Sequence, residues 1–179
     1  MARHLARLAR LLPLVAAVLG TSCSHYQLGT DAPLPFRTLY VAPVTNQTQL
    51  PQAREIVTAQ LRETLAHDAR VTLLNAPEAA DATLTVVLTD YHREIATVRE
   101  GDTGLARKFN LTLGATCTLS DRRSGAGPGG ARNFFEHRVV SAQRESFTDG
   151  GQLQSEYQAL PLLADSLAAK VAHLVLDVW

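Results

Sequence analysis

Between Phe109 and Ser120 the chain alternates strictly. Phe109, Leu111, Leu113, Ala115, Cys117 and Leu119 fall on one side of an extended backbone, and Asn110, Thr112, Thr116, Thr118 and Ser120 on the other. A period of two over that length fits a strand and no helix. It demands a sheet with one face buried and one face open to polar surroundings. The rest of the chain has to supply the neighbouring strands and the cover for the apolar side.

The neighbours are legible on both sides. Leu84, Val86 and Leu88 alternate with Thr83, Thr85 and Thr89, which predicts a half-buried strand. It is expected to continue through Ile95 and Val98 with an irregularity near Arg93, and to turn at Gly101-Asp102-Thr103-Gly104. Asn133 to Phe147 returns as a strand whose weaker alternation suggests a bulge. The segment between, Asp121 to Gly130, is rich in glycine and arginine and reads as a long hairpin loop. Two short β runs come earlier: Thr38 to Val44, which Pro43 either places near a sheet edge or stops at Ala42, and Val71 to Leu74.

The cover comes from two helices. Pro51 can open the first, because its missing N–H costs nothing in a first turn. From there Ala53, Ile56, Val57, Leu61 and Leu65 keep helical spacing, with Arg54, Glu55, Arg62 and Glu63 opposite. The second runs through Leu153, Tyr157, Leu160, Ala164, Leu167, Val171, Leu174 and Val178, with a kink or restart expected at Pro161. The order is β-α-β-β-β-β-α. It predicts an α+β two-layer sandwich, with both helices on one face of a mixed sheet of four to five strands. The other face, mostly threonine, serine and charged residues, is polar enough to meet water or the wall of a partner.

Ahead of this domain stands a different kind of segment. Leu11 to Leu19 is nearly all apolar, follows Arg3, Arg7 and Arg10, and is succeeded by Gly20-Thr21-Ser22-Cys23. Those are the three regions of a secretory signal. The run is too short for a hydrocarbon core of about 30 Å. A cysteine at the cut predicts lipid attachment to Cys23, with residues 1–22 removed, residues 23–36 an extended lead-in and residues 37–179 a single domain. Ala2 excludes myristoylation, and no C-terminal cysteine box is present. No later run is expected to cross a membrane.

The mature chain, Cys23 to Trp179, has 157 residues, one ordinary domain. Three of the 17 basic residues precede Cys23, leaving 14 against 17 acidic. That balance offers no strongly basic face for nucleic acid. With Cys23 acylated, Cys117 has no partner for a disulfide, and its place among leucines makes it a small buried hydrophobe.

Catalytic patterns are absent from the sequence. It has no G-x-S-x-G, H-E-x-x-H, C-x-x-C or P-loop, so no enzyme and no metal or other cofactor is expected. His25, His67, His92, His137 and His173 are scattered without ligand spacing. Asp90 and Glu94 read as solvated residues on a strand rather than an acid/base pair. The glycines of residues 125–130 lack the lysine and the strand-to-helix setting of a phosphate loop.

Several segments together resemble the LptE family of lipopolysaccharide-assembly lipoproteins. Cys23-Ser24-His25-Tyr26-Gln27-Leu28-Gly29 is similar to the start of its mature chains. Leu39-Tyr40-Val41-Ala42-Pro43-Val44-Thr45-Asn46-Gln47-Thr48 resembles its first strand and N-x-T loop. Ala80-Asp81-Ala82-Thr83-Leu84 resembles its alanine-aspartate strand entry, and Phe109 to Asp121 its central strand. The resemblance implies a partner rather than a reaction: a lipid-anchored plug for the outer-membrane β-barrel LptD, acting from the periplasmic side in lipopolysaccharide insertion. Ser24 after the lipid cysteine agrees with release to the outer membrane.

The resemblance also implies lipopolysaccharide contact through basic residues near the turn at Val98-Arg99-Glu100-Gly101. That makes Arg99 the candidate, with Arg107 and Lys108 across the turn. Arginine suits phosphate on independent grounds, since its planar fork matches two oxygens at once. Gln152, Leu153 and Gln154 stand where a second basic position is expected. The competing expectation is a lipoprotein activator of peptidoglycan synthesis or a secretion-pore lipoprotein, of the LpoB or CsgG kind. Those also begin with a strand, an asparagine-x-threonine loop and an amphipathic helix.

Overall fold

Four segments, residues 34–98, 106–123, 132–147 and 152–178, are described by the computed structural model. The signal, Cys23, the turn carrying Arg99 and the glycine-rich loop therefore lie outside the described residues.

The elements follow the expected order. Strand β1 spans Thr38–Val41 and β2 spans Thr45–Asn46; helix α1 spans Ala53–Ala66 and β3 spans Thr72–Leu74. Three long strands follow, β4 Ala82–Val98, β5 Ala106–Asp121 and β6 Arg132–Phe147, and the chain closes with α2, Gln152–Leu176. The sheet order is β3-β1-β4-β5-β6, with β2 pairing to β4. The sheet is mixed: β1 runs parallel to β3 and β4, whereas β4, β5 and β6 are antiparallel. The sheet has six strands rather than four or five. Pro43 interrupts the first β run, and the chain rejoins β4 at Thr45, opposite Val87.

The loop after β2 is built by Asn46. Its amide donates to the Leu50 carbonyl at 2.6 Å, and its oxygen accepts from the Thr48 N–H and hydroxyl at 2.9 and 2.8 Å. The N-x-T pattern is thus a self-contained turn brace, of the kind asparagine makes with its own backbone. Thr58 on α1 accepts from the Val44 N–H at 3.2 Å and ties this loop to the helix.

Both helices cover the apolar side of the sheet. Ala53, Val57, Leu61 and Leu65 give α1 a buried stripe at four-residue spacing. The buried side of α2 is broader, because it meets α1 as well as β5 and β6. Leu160, Leu163, Ala164, Leu167, Ala168, Val171 and Val175 are all buried there. Tyr157, expected within this stripe, is 57% exposed. Burying a Leu or Val side chain contributes about 1.5–3 kcal/mol, so this interface dominates the packing energy.

Helix α2 is continuous through Pro161, so the chain does not restart there. Pro161 and Tyr157 both lie on the exposed side, where water can take the carbonyl that proline leaves unpaired. In composition Gln154–Leu176 is also long and apolar enough to cross a membrane, contrary to expectation. Its apolar side is the core described above.

The irregularity in β4 falls at Thr89 and again past Ile95, not at Arg93. Ahead of Thr89, Leu84, Val86 and Leu88 point to the helices; after it, Tyr91, Arg93 and Ile95 do, opposite Leu113, Leu111 and Phe109. One extra residue moves the side-chain frame by one, as a bulge must. A further bulge, in β6, places His137 at φ 48°.

The first described residues run across one end of the sheet. Arg123, after β5, donates to the Pro35 carbonyl, Phe36 packs on Phe134 of β6 with ring centroids 5.4 Å apart, and the Arg37 N–H donates to Asp81. The chain thus enters beside β6 and reaches β1 by passing the ends of β5 and β4.

Candidate functional site

Two surfaces carry the residues singled out above: the uncovered sheet face and the far end of the long strands, opposite the chain entry. Both follow from the topology. Placing both helices on one side leaves Thr85, Thr116 and Thr118 on the other, with Thr85 opposite Thr118 and Val87 opposite Thr116. His92 opposite Thr112 and Glu94 opposite Asn110 continue this face toward the far end. Its middle is rich in hydroxyl groups, while Asp90, His92, Glu94, Lys108 and Glu145 bring charges toward the far end.

At the far end the Thr89 bulge has a chemical result. It turns Arg93 to the helix side, where its guanidinium lies 5.3 Å from the Phe109 ring centroid and 2.6 Å from Glu156 of α2. Beside this pair a cavity of 220 Å³ opens among Leu50, Pro51, Tyr91, Leu111, Tyr157 and Leu160. Burial, and then the Glu156 charge, push the Tyr91 hydroxyl above its usual range. Both effects disfavour the phenolate, so Tyr91 presents a neutral O–H.

Lys108 lies on the opposite face. Its ammonium is 2.5 Å from Glu145 of β6 and 5.6 Å from the Phe147 ring centroid. The side chain is 24% exposed. An anionic group reaching Lys108 therefore competes with Glu145. Arg107 belongs to β5 by its backbone, with its side chain outside the described set; Arg99 lies wholly outside it. Of the three basic candidates, Lys108 alone is placed.

The remaining titratable residues stand apart from chemistry. Asp90 lies 2.9 Å from His92, both substantially exposed. Cys117 is fully buried, and desolvation pushes its thiol up to about 12. Among the described residues no group of three or more His, Cys, Asp or Glu side chains is placed to hold a metal. Sequence reasoning missed Arg93, Glu156 and Tyr91 as neighbours. Their only signal was the unpaired charge of Arg93 within an otherwise alternating strand.

The fold has solved counterparts. A hypothetical protein from Chlamydia trachomatis is similar over 79% of this chain and 97% of its own, at 10% identity and a TM-score of 0.56. A minor lipoprotein from Acinetobacter baumannii is similar over 80% of this chain and 96% of its own, at 17% identity and a TM-score of 0.51. Lipoprotein B from Nitrosomonas europaea gives 86% and 88% coverage, 16% identity and a TM-score of 0.51. At these identities the likeness is one of fold. No curated protein matches the chain.

The family match says more than fold. It runs from Phe36, where the chain enters the sheet, to His173 in the last turns of α2, and so takes in the N-x-T brace, the aspartate at the β4 entry and the long central strands. With residues 36–173 matched to the family described as LptE, lipopolysaccharide-assembly, this chain belongs to the LptE family.

Proposed function

We propose that the protein is a non-catalytic outer-membrane lipoprotein, held on the periplasmic side by lipid on Cys23. It plugs an LptD-type β-barrel and assists both barrel assembly and the insertion of lipopolysaccharide into the outer leaflet. The observation that carries this reading is the family match across the whole folded part of the chain.

The uncovered face supports it physically. The lumen of a large transmembrane barrel is polar. The threonine-rich middle of that face can exchange hydrogen bonds with such a wall without desolvating charges, a step that costs several kcal/mol per ion. The long strands suit the same role. At about 3.4 Å per residue the 16 residues of β5 reach well beyond a barrel's apolar band of about 25 Å.

In this reading Arg99, Arg107 and Lys108 meet lipopolysaccharide phosphates at the far end. Lys108 is held by Glu145 until a phosphate displaces the carboxylate. A doubly charged phosphate offers Lys108 more charge than one carboxylate, so the exchange is favourable where the headgroup also meets the arginines.

Extraction of native outer membranes in mild detergent, followed by purification of this protein, tests the reading. The expected result is a stoichiometric complex with one large β-barrel. Recovery as a free monomer under those conditions overturns it, and capture of a peptidoglycan synthase instead selects the activator reading.

A further inference from the structure

The end of the sheet where the chain enters has a chemistry of its own. Ten residues, Ser24 to Pro33, separate Cys23 from the first described residue, Leu34. At about 3.6 Å per residue a fully extended tether of that length reaches at most about 40 Å. Its near end is fixed beside β5 and β6 by the Pro35 contact with Arg123 and the stacking of Phe36 on Phe134. The opposite end of β5 lies about 50 Å further on, at about 3.4 Å per residue. The Cys23 lipid is therefore tied within about 40 Å of the entry end, a reach shorter than β5.

The entry end is also where exposed arginines gather. Arg37 precedes β1, Arg122 and Arg123 follow β5, and Arg132 opens β6; all four are exposed. The strands bring them together, since the Arg122 N–H donates to Asp81 at the β4 start and Arg132 lies opposite Asp121. The two acids among them are already engaged. Asp81 accepts the Arg37 and Thr38 N–H groups, and Asp121 accepts the Arg123 N–H and lies 3.5 Å from its side chain. Glu136, further along β6, takes the Asn133 amide. Arg37, Arg122 and Arg132 keep exposed side chains.

We propose that this arginine-bearing end seats on the headgroups of anionic phospholipids in the leaflet that holds the Cys23 lipid. The proposal rests on the anchoring of Cys23 in the function proposed above. The tether brings the surface within reach, and the guanidinium forks supply bidentate recognition of lipid phosphate. Each arginine near an anionic surface strengthens attachment by about fivefold. Seating this end down points β4, β5 and Lys108 away from the lipid.

The test uses the acylated protein purified from membranes and placed in two kinds of vesicle. One is phosphatidylcholine alone; the other has a third of its lipid replaced by phosphatidylglycerol. An arginine-selective reagent is followed by mass spectrometry, with an amine reagent at Lys108 as the control. The expected result is flotation with both vesicles, and reaction at Arg37, Arg122 and Arg132 about fivefold slower on the anionic ones. High salt should abolish the difference, and Lys108 should react alike on both. Equal arginine rates on the two vesicles, or equal slowing at Lys108, overturns the seating while the anchor stands. Failure to float with neutral vesicles overturns the anchor and the proposal together. In the triple variant Arg37→Gln, Arg122→Gln, Arg132→Gln, with an unchanged melting temperature, the anionic lipid should no longer slow reaction at Arg123. Retained slowing there also counts against the seating.

Discussion

Asp81 and Thr38 interlock across the start of the sheet. The Asp81 carboxylate accepts the Thr38 N–H at 3.0 Å, and the Thr38 hydroxyl accepts the Asp81 N–H at 2.8 Å. A second N–H, from Arg37, reaches the same carboxylate oxygen at 2.9 Å. The parallel pair β1–β4 is thereby closed at the end where the chain arrives. The Ala80-Asp81 entry to β4 is a structural clasp.

The clasp predicts a pH-dependent loss of stability. Hydrogen bonds from the Arg37 N–H, then from Thr38, with the Arg123 charge, hold the Asp81 carboxyl below its usual range, against the opposing effect of burial. A carboxyl lowered by folding stabilises the fold above its unfolded pKa, about 3.9, and loses that contribution as pH falls through the lower folded value. Asp81→Ala should therefore cost about 1–2 kcal/mol at pH 7, the lower part of the range because the site is partly exposed. The gap between wild type and variant should narrow below about pH 4. Urea unfolding at pH 7 and pH 3 reads both numbers.

Cys117 gives a direct count of acylation. Its thiol is fully buried and pushed up to about 12 by desolvation, so it should be inert to disulfide reagents at pH 8 in the native protein. The acylated mature protein should show no reactive thiol when folded and one in guanidinium, while a chain lacking lipid on Cys23 should show an additional one. Cys117→Ser should lower stability by about 1–3 kcal/mol by burying a hydroxyl among leucines, and Cys117→Ala by less.

The fold was legible wherever a period ran uninterrupted. Phe109 to Leu119 announces its buried face because every second residue is apolar, and the structure keeps all six inside. The bulge at Thr89 was legible only loosely: Leu84, Val86 and Leu88 fall on even positions and Tyr91 and Ile95 on odd ones, and pairing with β5 is what locates the extra residue. Pro161 does not restart the helix, and it lies on the exposed side, where water can take the carbonyl it leaves unpaired. Tyr157 fell outside the stripe because α2 turns its broad side to α1 and the sheet together. The site was less legible than the fold. Arg93 and Glu156 are 63 residues apart, and no local pattern joins them.

The Arg93 arrangement predicts a measurable coupling that lysine cannot reproduce. Arg93 is 43% exposed and Glu156 18%, so solvent screens the pair and a double-mutant cycle should return about 0.5–1 kcal/mol. Stacking on Phe109 adds a contribution that depends on the planar guanidinium. Arg93→Lys should retain part of the Glu156 coupling and lose the stacking. Phe109→Leu in the Arg93→Lys background should then show no further stacking loss. Thermal unfolding of the wild type, Arg93→Lys, Phe109→Leu and the double variant isolates the stacking contribution.

The free edge of β6 leads to a prediction about association. Strand β6 pairs with β5 on one side and with no described strand on the other, over the length of Arg132–Phe147. An edge of that length offers backbone donors and acceptors to another chain, and soluble domains blunt such edges, most often with lysine. Here Lys170 reaches from α2 and donates to the Ser141 carbonyl at 2.6 Å. Lys170 is itself exposed, so its removal should change stability by less than about 0.5 kcal/mol. What it should change is the acceptor left open on β6, next to the 77% exposed Val139. Lys170→Ala should raise the fraction of dimers and larger species as concentration rises, with the melting temperature unmoved. Lys170→Arg, which keeps a donor within reach, should stay monomeric in detergent. Light scattering coupled to size exclusion distinguishes these outcomes, and identical profiles for all three proteins would remove the edge-guarding role from Lys170.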